Sequence, residues 1–236
     1  MGFPFDIEGC CSLSNILIVA VLFATIYAIY RMRKTKERKP ISYQTVESKK
    51  AQELKSEGKI KAVVTGGSGT LGKQIVRCLI EDGNYLIYSL DLYIPAEKDR
   101  NDDVYSYIQA DIFDMDSLRS ALKDAEVVFH NAGLVPSFIG FTYQNFFDVN
   151  VTGTKNVVAA SKEVGVKRLI YTSSIATMIS SDPSQVVEML DESTPYPEQN
   201  RDDYGTTKAM GERLRRLLVL WEGKKLAGRT REAQRK

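Results

Sequence analysis

A cluster of glycines constrains the fold of this chain more than any other feature of its sequence. The β-branched residues 63–65 give way to a helical pattern through Gly66, Gly67, Gly69 and Gly72, which are four glycines in seven residues. A plain loop between a strand and a helix seldom needs more than one glycine, because glycine serves positive φ angles and close approach to the backbone. We therefore expect a tight turn at which another group approaches the main chain.

Apolar, strand-like runs alternate with helix-period segments along the body of the chain. Strands are predicted at residues 62–65, 85–90, 104–109, 127–130 and 168–172, and helices at 70–81, 116–123, 143–164 and from about Tyr204. Strands separated by helices pair in parallel through right-handed crossovers, so the pattern predicts an α/β fold with a Rossmann-type doubly wound parallel sheet. In such sheets, ligands bind beyond the carboxyl ends of the strands.

The surroundings of the glycines indicate a dinucleotide site. Gly66, Gly69 and Gly72 follow a strand and open a helix, and Asp91 ends the next strand 19 residues after Gly72. This arrangement is typical of dinucleotide binding, in which a pyrophosphate meets the free N–H groups and the positive dipole at a helix N-terminus. Because the Asp91 carboxylate would accept hydrogen bonds from the ribose hydroxyls and repel a 2′-phosphate, NAD is predicted rather than NADP.

A tyrosine, a lysine and a serine form a candidate catalytic set. Tyr204 and Lys208 are four residues apart and share one face of the predicted helix. An ammonium close to a phenol favours the phenolate, which can exchange a proton with a substrate hydroxyl or carbonyl. Either Ser173 or Ser174, at the end of the preceding strand, could hydrogen-bond the same substrate oxygen.

The two ends of the chain differ from its body. Residues 13–30 carry no charge, and the basic segment RMRKTKERK follows them at once, whereas no Lys or Arg precedes them. This order predicts a single transmembrane helix with the following domain in the cytosol, and not a cleaved signal peptide. Outside residues 31–39 and 212–236 the net charge is −9, which argues against nucleic-acid binding. The three cysteines form no CxxC pattern, so no metal site is expected.

These features set the expected organisation of the chain. We predict a short tail at residues 1–12, an anchor at 13–30, a basic segment and polar linker at 31–58, and a dinucleotide-binding domain at 59–222. A basic tail follows at 223–236. Residues 41–59 are polar, with a weak helical pattern, and are expected to form a linker or a short solvated helix.

Six motifs in order resemble the extended short-chain dehydrogenase/reductases. They are TGGSGTLG, Asp111-Ile112, VFHNAG, DVNVTGTKNVVAA, YTSS and YGTTK, and they cover roughly residues 59–213. The stretch DESTPYPEQNRDDYGTTKAMGE looks most like the 3β-hydroxysteroid dehydrogenase/isomerase and sterol dehydrogenase branch. The resemblance implies an NAD-dependent oxidoreductase that acts on an apolar steroid or sterol.

The resemblance also implies roles for individual residues. Tyr204 would be the acid/base, Lys208 would tune it and bind the nicotinamide ribose, and Ser174 would bind the substrate oxygen. The remaining implied site residues are Asp111 and Ile112 beside the adenine, Asn131, Ala132 and Gly133 along the cofactor, and Asn150 in the central helix. His130 ends a buried strand and is expected to pack rather than catalyse.

The chain departs from that branch after Glu212, where a basic stretch replaces the further strands and the substrate domain of extended members. We therefore expect a shortened sheet of about five strands with an open edge. An oligomeric partner could supply the replacement for the substrate domain. Three hypotheses follow: an endoplasmic-reticulum steroid or sterol dehydrogenase, another extended-family reductase or sugar-nucleotide epimerase, and an inactive cofactor-binding or interaction protein.

Overall fold

The fold is organised around one mainly parallel sheet. The computed structural model describes residues 41–54, 58–136, 140–185, 190–191 and 193–219. The strands of this described part are β1 (Gln44–Glu47), β2 (Ile60–Thr65), β3 (Tyr85–Asp91), β4 (Ser106–Gln109), β5 (Val127–His130) and β6 (Arg168–Tyr171). Their order in the sheet is β1-β4-β3-β2-β5-β6. The chain therefore winds outward from β2 in both directions, which confirms the predicted doubly wound α/β arrangement.

Helices cover both faces of this sheet. They are α1 (Ala51–Leu54), α2 (Thr70–Asp82), α3 (Met115–Leu122), α4 (Tyr143–Phe147), α5 (Thr154–Glu163) and α6 (Asp203–Val219). Successive residues of β2 enter different cores: Val63 packs in the cluster that contains residues of α3 and α5, while Ala62 and Val64 pack in the one that contains residues of α2. Because both of its faces are buried, the central part of β2 reads as a continuous apolar run.

The segment before β2 agrees with its prediction only in the short helix α1. Residues 41–59 were expected to form a linker or a short solvated helix, but Gln44–Glu47 forms β1, which pairs antiparallel with β4. The pairing places Val46 opposite Tyr107, and the Tyr105 hydroxyl donates to Glu47 at 3.2 Å. The reason is tertiary: β4 offers an unpaired edge of N–H and C=O groups, and a short segment with β-branched residues satisfies them. The described sheet therefore has six strands rather than about five.

The long helix predicted at 143–164 is helical throughout but not uniform. Between α4 and α5, residues Asp148–Gly153 form a π-helical turn. Such turns insert extra residues into a helix and are frequent at functional sites. Here the turn carries Asn150, whose side chain is almost completely buried.

The predicted membrane anchor at 13–30 and the predicted tail at 223–236 lie outside the described residues. Among the helices that the structure does describe, none combines the length and the apolar character needed to cross a bilayer.

Candidate active site

The predicted site residues gather at the carboxyl edge of the sheet. Gly66 follows β2, Asp91 ends β3, Asn131 follows β5, and Ser173 and Ser174 come shortly after β6. Because β3, β2, β5 and β6 are neighbours in this order, these residues lie along one edge. The edge spans the point at which the winding direction reverses, where open α/β sheets bind their ligands.

The glycine turn leaves the backbone N–H groups at the N-terminus of α2 without a side-chain cap. Gly66 adopts a positive φ of 69°, which residues with a Cβ rarely adopt. Gly69 occupies the N-cap position of α2 and no side chain caps the helix there. A Cβ on Gly72 would lie 2.0 Å from the carbonyl oxygen of Gly66, so only glycine allows the turn to pack on the helix. The result is a backbone cradle whose N–H groups suit a pyrophosphate.

The Asp91 carboxylate is anchored beside this cradle. Its Oδ2 accepts from the Ser68 amide at 3.0 Å, and its Oδ1 accepts from the Leu92 amide at 2.8 Å. Partial burial raises the pKa of this carboxyl, while the two amide bonds oppose that shift. Each carboxylate oxygen can accept a further hydrogen bond, so the group is oriented for a pair of ribose hydroxyls.

Asp111 and Ile112, which were predicted to flank an adenine, make different contacts. The Asp111 carboxylate accepts from the Phe113 amide at 3.0 Å and shapes the turn after β4. The Ile112 side chain is buried in the core, where a Cβ on Gly153 would lie 2.3 Å from its Cδ1. The Ile112 side chain is therefore committed to the core, and the Ile112 carbonyl accepts from the Asn156 side chain at 3.1 Å.

The loop after β5 joins the two halves of the site. The Asn131 side chain donates to the Gly66 carbonyl at 3.4 Å. A Cβ on Gly133 would lie 3.7 Å from Nζ of Lys208, so the loop reaches the candidate lysine. Asn150 fixes this loop because its amide accepts from the Leu134 N–H at 2.7 Å and donates to the Leu134 carbonyl at 3.0 Å.

Lys208 is buried, and two contacts fix the position of its ammonium group. Its Nζ donates to the Thr172 carbonyl at 2.6 Å and lies 4.3 Å from the ring centroid of Tyr171. Burial lowers the pKa of Lys208 to about 8, and the Glu212 carboxylate opposes that shift. Tyr204 is one helical turn earlier and half-buried, with its ring 6.0 Å from that of Phe146. Tyr204 and the fixed ammonium thus belong to successive turns of one helix.

The two candidate serines differ in their partners. Ser173 Oγ donates to the Glu212 carboxylate at 2.5 Å, so its proton is engaged. Ser174 Oγ accepts from the Ala176 amide at 3.2 Å, which leaves its proton for another acceptor. Both serines line a groove of about 700 Å³ that also includes Tyr196. This difference favours Ser174 as the substrate-binding serine.

Two polar residues near the site were missed or undervalued by the sequence reasoning. Glu212 was not singled out, although it lies four residues after Lys208 and on the same face of a helix. His130 was expected to pack, and it is fully buried, but both of its ring nitrogens are hydrogen-bonded. The Tyr-x-x-x-Lys spacing, extended by one more turn, was the available signal for Glu212.

Comparison with known proteins agrees with this geometry. The model of the 3-beta hydroxysteroid dehydrogenase/isomerase family matches residues 63–218. A 3beta-hydroxysteroid-dehydrogenase/decarboxylase isoform 1 of Arabidopsis thaliana is 37% identical over 164 residues, which are 64% of this chain and 36% of that protein. The human 3 beta-hydroxysteroid dehydrogenase type 7 is 32% identical over 161 residues, covering 66% of this chain and 44% of that protein. The chain thus spans less than half the length of these two relatives.

A solved structure shares the fold and part of the sequence. It is a short-chain dehydrogenase/reductase superfamily protein from Agrobacterium tumefaciens with bound NAD, at 26% identity and a TM-score of 0.53. The match covers 66% of this chain and 44% of that one. The family match, the relatives and the shared fold lead to one conclusion: this chain belongs to the 3-beta hydroxysteroid dehydrogenase/isomerase family.

Proposed function

We propose that the chain is an NAD-dependent oxidoreductase that oxidises a 3β-hydroxysteroid or sterol. The observation that carries the proposal is the position of Lys208. Its ammonium is fixed by the Thr172 carbonyl, next to the loop of Gly133 and one turn from Tyr204. A buried cation that borders the predicted cofactor loop and lies one helical turn from a phenol is suited to controlling proton transfer at a bound substrate.

The residues at the carboxyl edge fit a dinucleotide. The uncapped N-terminus of α2 would bind the pyrophosphate, and the Asp91 carboxylate would accept hydrogen bonds from the adenosine ribose hydroxyls, which disfavours NADP. Asp111 and the backbone of Ile112 border the base. When bound, NAD supplies the nicotinamide ring that takes up the hydride from the carbinol carbon.

Three side chains, those of Tyr204, Lys208 and Ser174, then control the removal of the substrate hydroxyl proton. Tyr204, as phenolate, takes the proton of the 3β-hydroxyl while the carbon–hydrogen bond breaks. Lys208 stabilises the phenolate and binds the nicotinamide ribose, and the Ser174 hydroxyl donates to the substrate oxygen. Asn131, Ala132 and Gly133 form the wall beside the nicotinamide, and Asn150 holds that wall through Leu134. Ile175, Met178 and Leu190 give the groove beside Ser174 an apolar side that suits a steroid.

We also propose that residues 13–30 anchor this domain to the endoplasmic reticulum, with the domain in the cytosol. The uncharged run and its one-sided basic flank support this placement. An apolar substrate that partitions into the bilayer would then meet the site at the membrane surface. Extraction of the full chain from microsomes with alkaline carbonate tests it, because an anchored protein stays with the membrane.

The test of the function is NAD-linked turnover by the full chain with a panel of 3β-hydroxysteroids and sterols, with UDP-sugars as the comparison. Replacing Tyr204 with Phe removes the acid/base and is expected to lower kcat by about 10²-fold or more. The affinity for NAD, measured by calorimetry, should change little. Tyr43→Phe is a matched control, since it removes a hydroxyl next to β1, at the opposite edge of the sheet from β6.

Three results would contradict the proposal in different ways. Turnover of UDP-sugars but not of sterols would favour the epimerase or reductase alternative. NAD binding without any turnover would favour the inactive binding protein. Full activity of the Tyr204→Phe variant would exclude the assigned acid/base.

A further inference from the structure

His130 stands at the centre of a buried set of hydroxyl groups. Its Nδ1 lies 2.8 Å from the Thr65 hydroxyl, and its Nε2 lies 3.0 Å from the Thr154 hydroxyl. All three residues are completely buried. Water therefore cannot satisfy these atoms, and each must find its donor or acceptor within the set.

The set extends to the site on both sides. On one side, the Thr65 hydroxyl accepts from the Ala132 amide at 3.2 Å, in the loop that borders the cofactor. On the other side, the imidazole packs against the Tyr171 ring at a centroid distance of 5.6 Å. The Tyr171 hydroxyl donates to the backbone carbonyl of Lys208 at 3.5 Å. Hydrogen bonds on one side and a ring contact on the other therefore join the cofactor loop to the catalytic helix through His130.

The direction of both imidazole bonds follows from Thr65. Its hydroxyl oxygen accepts from the Ala132 amide, and Nδ1 of His130 is the acceptor that its proton meets in the described part of the chain. The neutral imidazole then carries its proton on Nε2, which donates to the Thr154 hydroxyl. In the opposite tautomer, the Thr65 proton would have no acceptor in this set. We propose that His130 is a positioning residue. Its neutral Nε2–H tautomer holds the cofactor loop at Ala132 in a fixed position relative to Thr172, the residue after β6 that binds Lys208. We call this arrangement the lock.

The lock acts on the atoms that the proposed reaction uses, so this inference rests on the proposed function. The His130 carbonyl accepts from the Thr172 amide at 3.0 Å, and the Thr172 carbonyl holds the ammonium of Lys208. The Tyr171 ring contacts the imidazole at a centroid distance of 5.6 Å and lies under the ammonium. His130 thereby positions Thr172 and Tyr171, which contact the ammonium of Lys208, while Thr65 positions the loop at Ala132.

The charges around the imidazole favour the neutral form. Lys208 approaches from α6 across Tyr171 on β6, whereas Thr65 on β2 and Thr154 on α5 carry no charge. Burial, and then the charge of Lys208, lower the pKa of His130 to about 3. The imidazole therefore keeps one acceptor and one donor throughout the neutral range, as the chain of hydrogen bonds requires.

The tautomer can be observed directly, because the chain contains a single histidine. Nitrogen NMR of the full chain, labelled with ring-¹⁵N histidine, should show Nε2 protonated and Nδ1 bare at neutral pH and at about pH 5. Thr154→Val, which removes the acceptor of Nε2–H, should shift the signal of that nitrogen. A ring protonated on Nδ1, or on both nitrogens, would overturn the proposal without any reference to catalysis.

Two amide variants separate the two sides of the lock. In His130→Asn, the amide oxygen can replace Nδ1, so NAD affinity should stay close to wild type while kcat falls about tenfold. In His130→Gln, the amide nitrogen can replace Nε2, so NAD affinity should fall about tenfold while kcat changes less. Ser161→Ala is the control, since Ser161 is buried and its hydroxyl has no hydrogen-bond partner in the described part of the chain.

The outcomes distinguish the lock from the proposed function. Equal effects of both amide variants on NAD affinity and kcat would reduce His130 to a packing residue and overturn the proposal. Absence of NAD binding by the wild-type chain would instead refute the proposed function, and the NMR result would still decide the tautomer.

Discussion

Acidification should destabilise this fold through His130. The imidazole has a pKa of about 3 in the folded chain against 6.5 as its ordinary value. Between these values the unfolded chain binds one more proton than the folded chain, so stability falls as the pH is lowered below 6.5. The slope approaches about 1.4 kcal/mol per pH unit, and about 2 kcal/mol is lost on reaching about pH 5. Lys208, with a pKa of about 8, stays charged and adds nothing in this window.

The assay is urea unfolding followed by circular dichroism at about pH 7.5 and about pH 5. Carboxylates also respond to acid, so the wild-type chain is compared with His130→Gln, which cannot titrate at this position. The variant should be less stable at the higher pH, because it leaves Thr65 without its acceptor. The difference should shrink by about 2 kcal/mol at the lower pH. A constant difference at both pH values would refute the burial of a neutral imidazole.

Three further predictions concern the site. Gly72→Ala should abolish NAD binding in calorimetry, because its Cβ would lie 2.0 Å from the Gly66 carbonyl oxygen and displace the turn; unchanged affinity would contradict the cradle. Asp91→Asn should weaken NAD binding about tenfold or more and reduce the preference for NAD over NADP, since a charged acceptor is lost. The ratio of the dissociation constants for NAD and NADP measures this preference, and an unaltered ratio would exclude a role of Asp91 in it. Ser174→Ala should lower kcat more than Ser173→Ala, because the Ser173 proton is engaged by Glu212; steady-state kinetics with a sterol would show the reverse order if the assignment of the serines is wrong.

Local patterns in the sequence were enough to predict the central part of the fold. Strands that are mostly buried leave continuous apolar runs, so β2, β3 and β5 could be located within a few residues. β6 was also located, although its residues are more exposed. β1 could not, because four partly polar residues become a strand only when the edge of β4 is beside them. The π-helical turn was also missed, since residues 143–164 were predicted as one continuous helix.

The site was predictable where its chemistry follows a short spacing. The glycines with Asp91, and Tyr204 with Lys208, are such cases, although their roles stay predictions. The difference between Ser173 and Ser174 depends on Glu212, which is 39 residues away from Ser173. The partners of His130 are likewise distant in sequence, 65 residues away for Thr65 and 24 for Thr154. No local pattern contains such pairs, so only the folded structure shows them.

The π-helical turn at Asp148–Gly153 links the length of this part of the chain to the direction of the side chains within the turn. A residue removed from an exposed loop shortens the loop and little else. A π-helical turn accommodates an extra residue within a helix, so removing one residue would leave an ordinary helix in which Val157 and Ala160 still face the core. The side chains inside the turn would change direction by about 100°, and Asn150 would lose its alignment with Leu134. Insertions and deletions among related sequences should therefore avoid residues 148–153, even where substitutions are accepted.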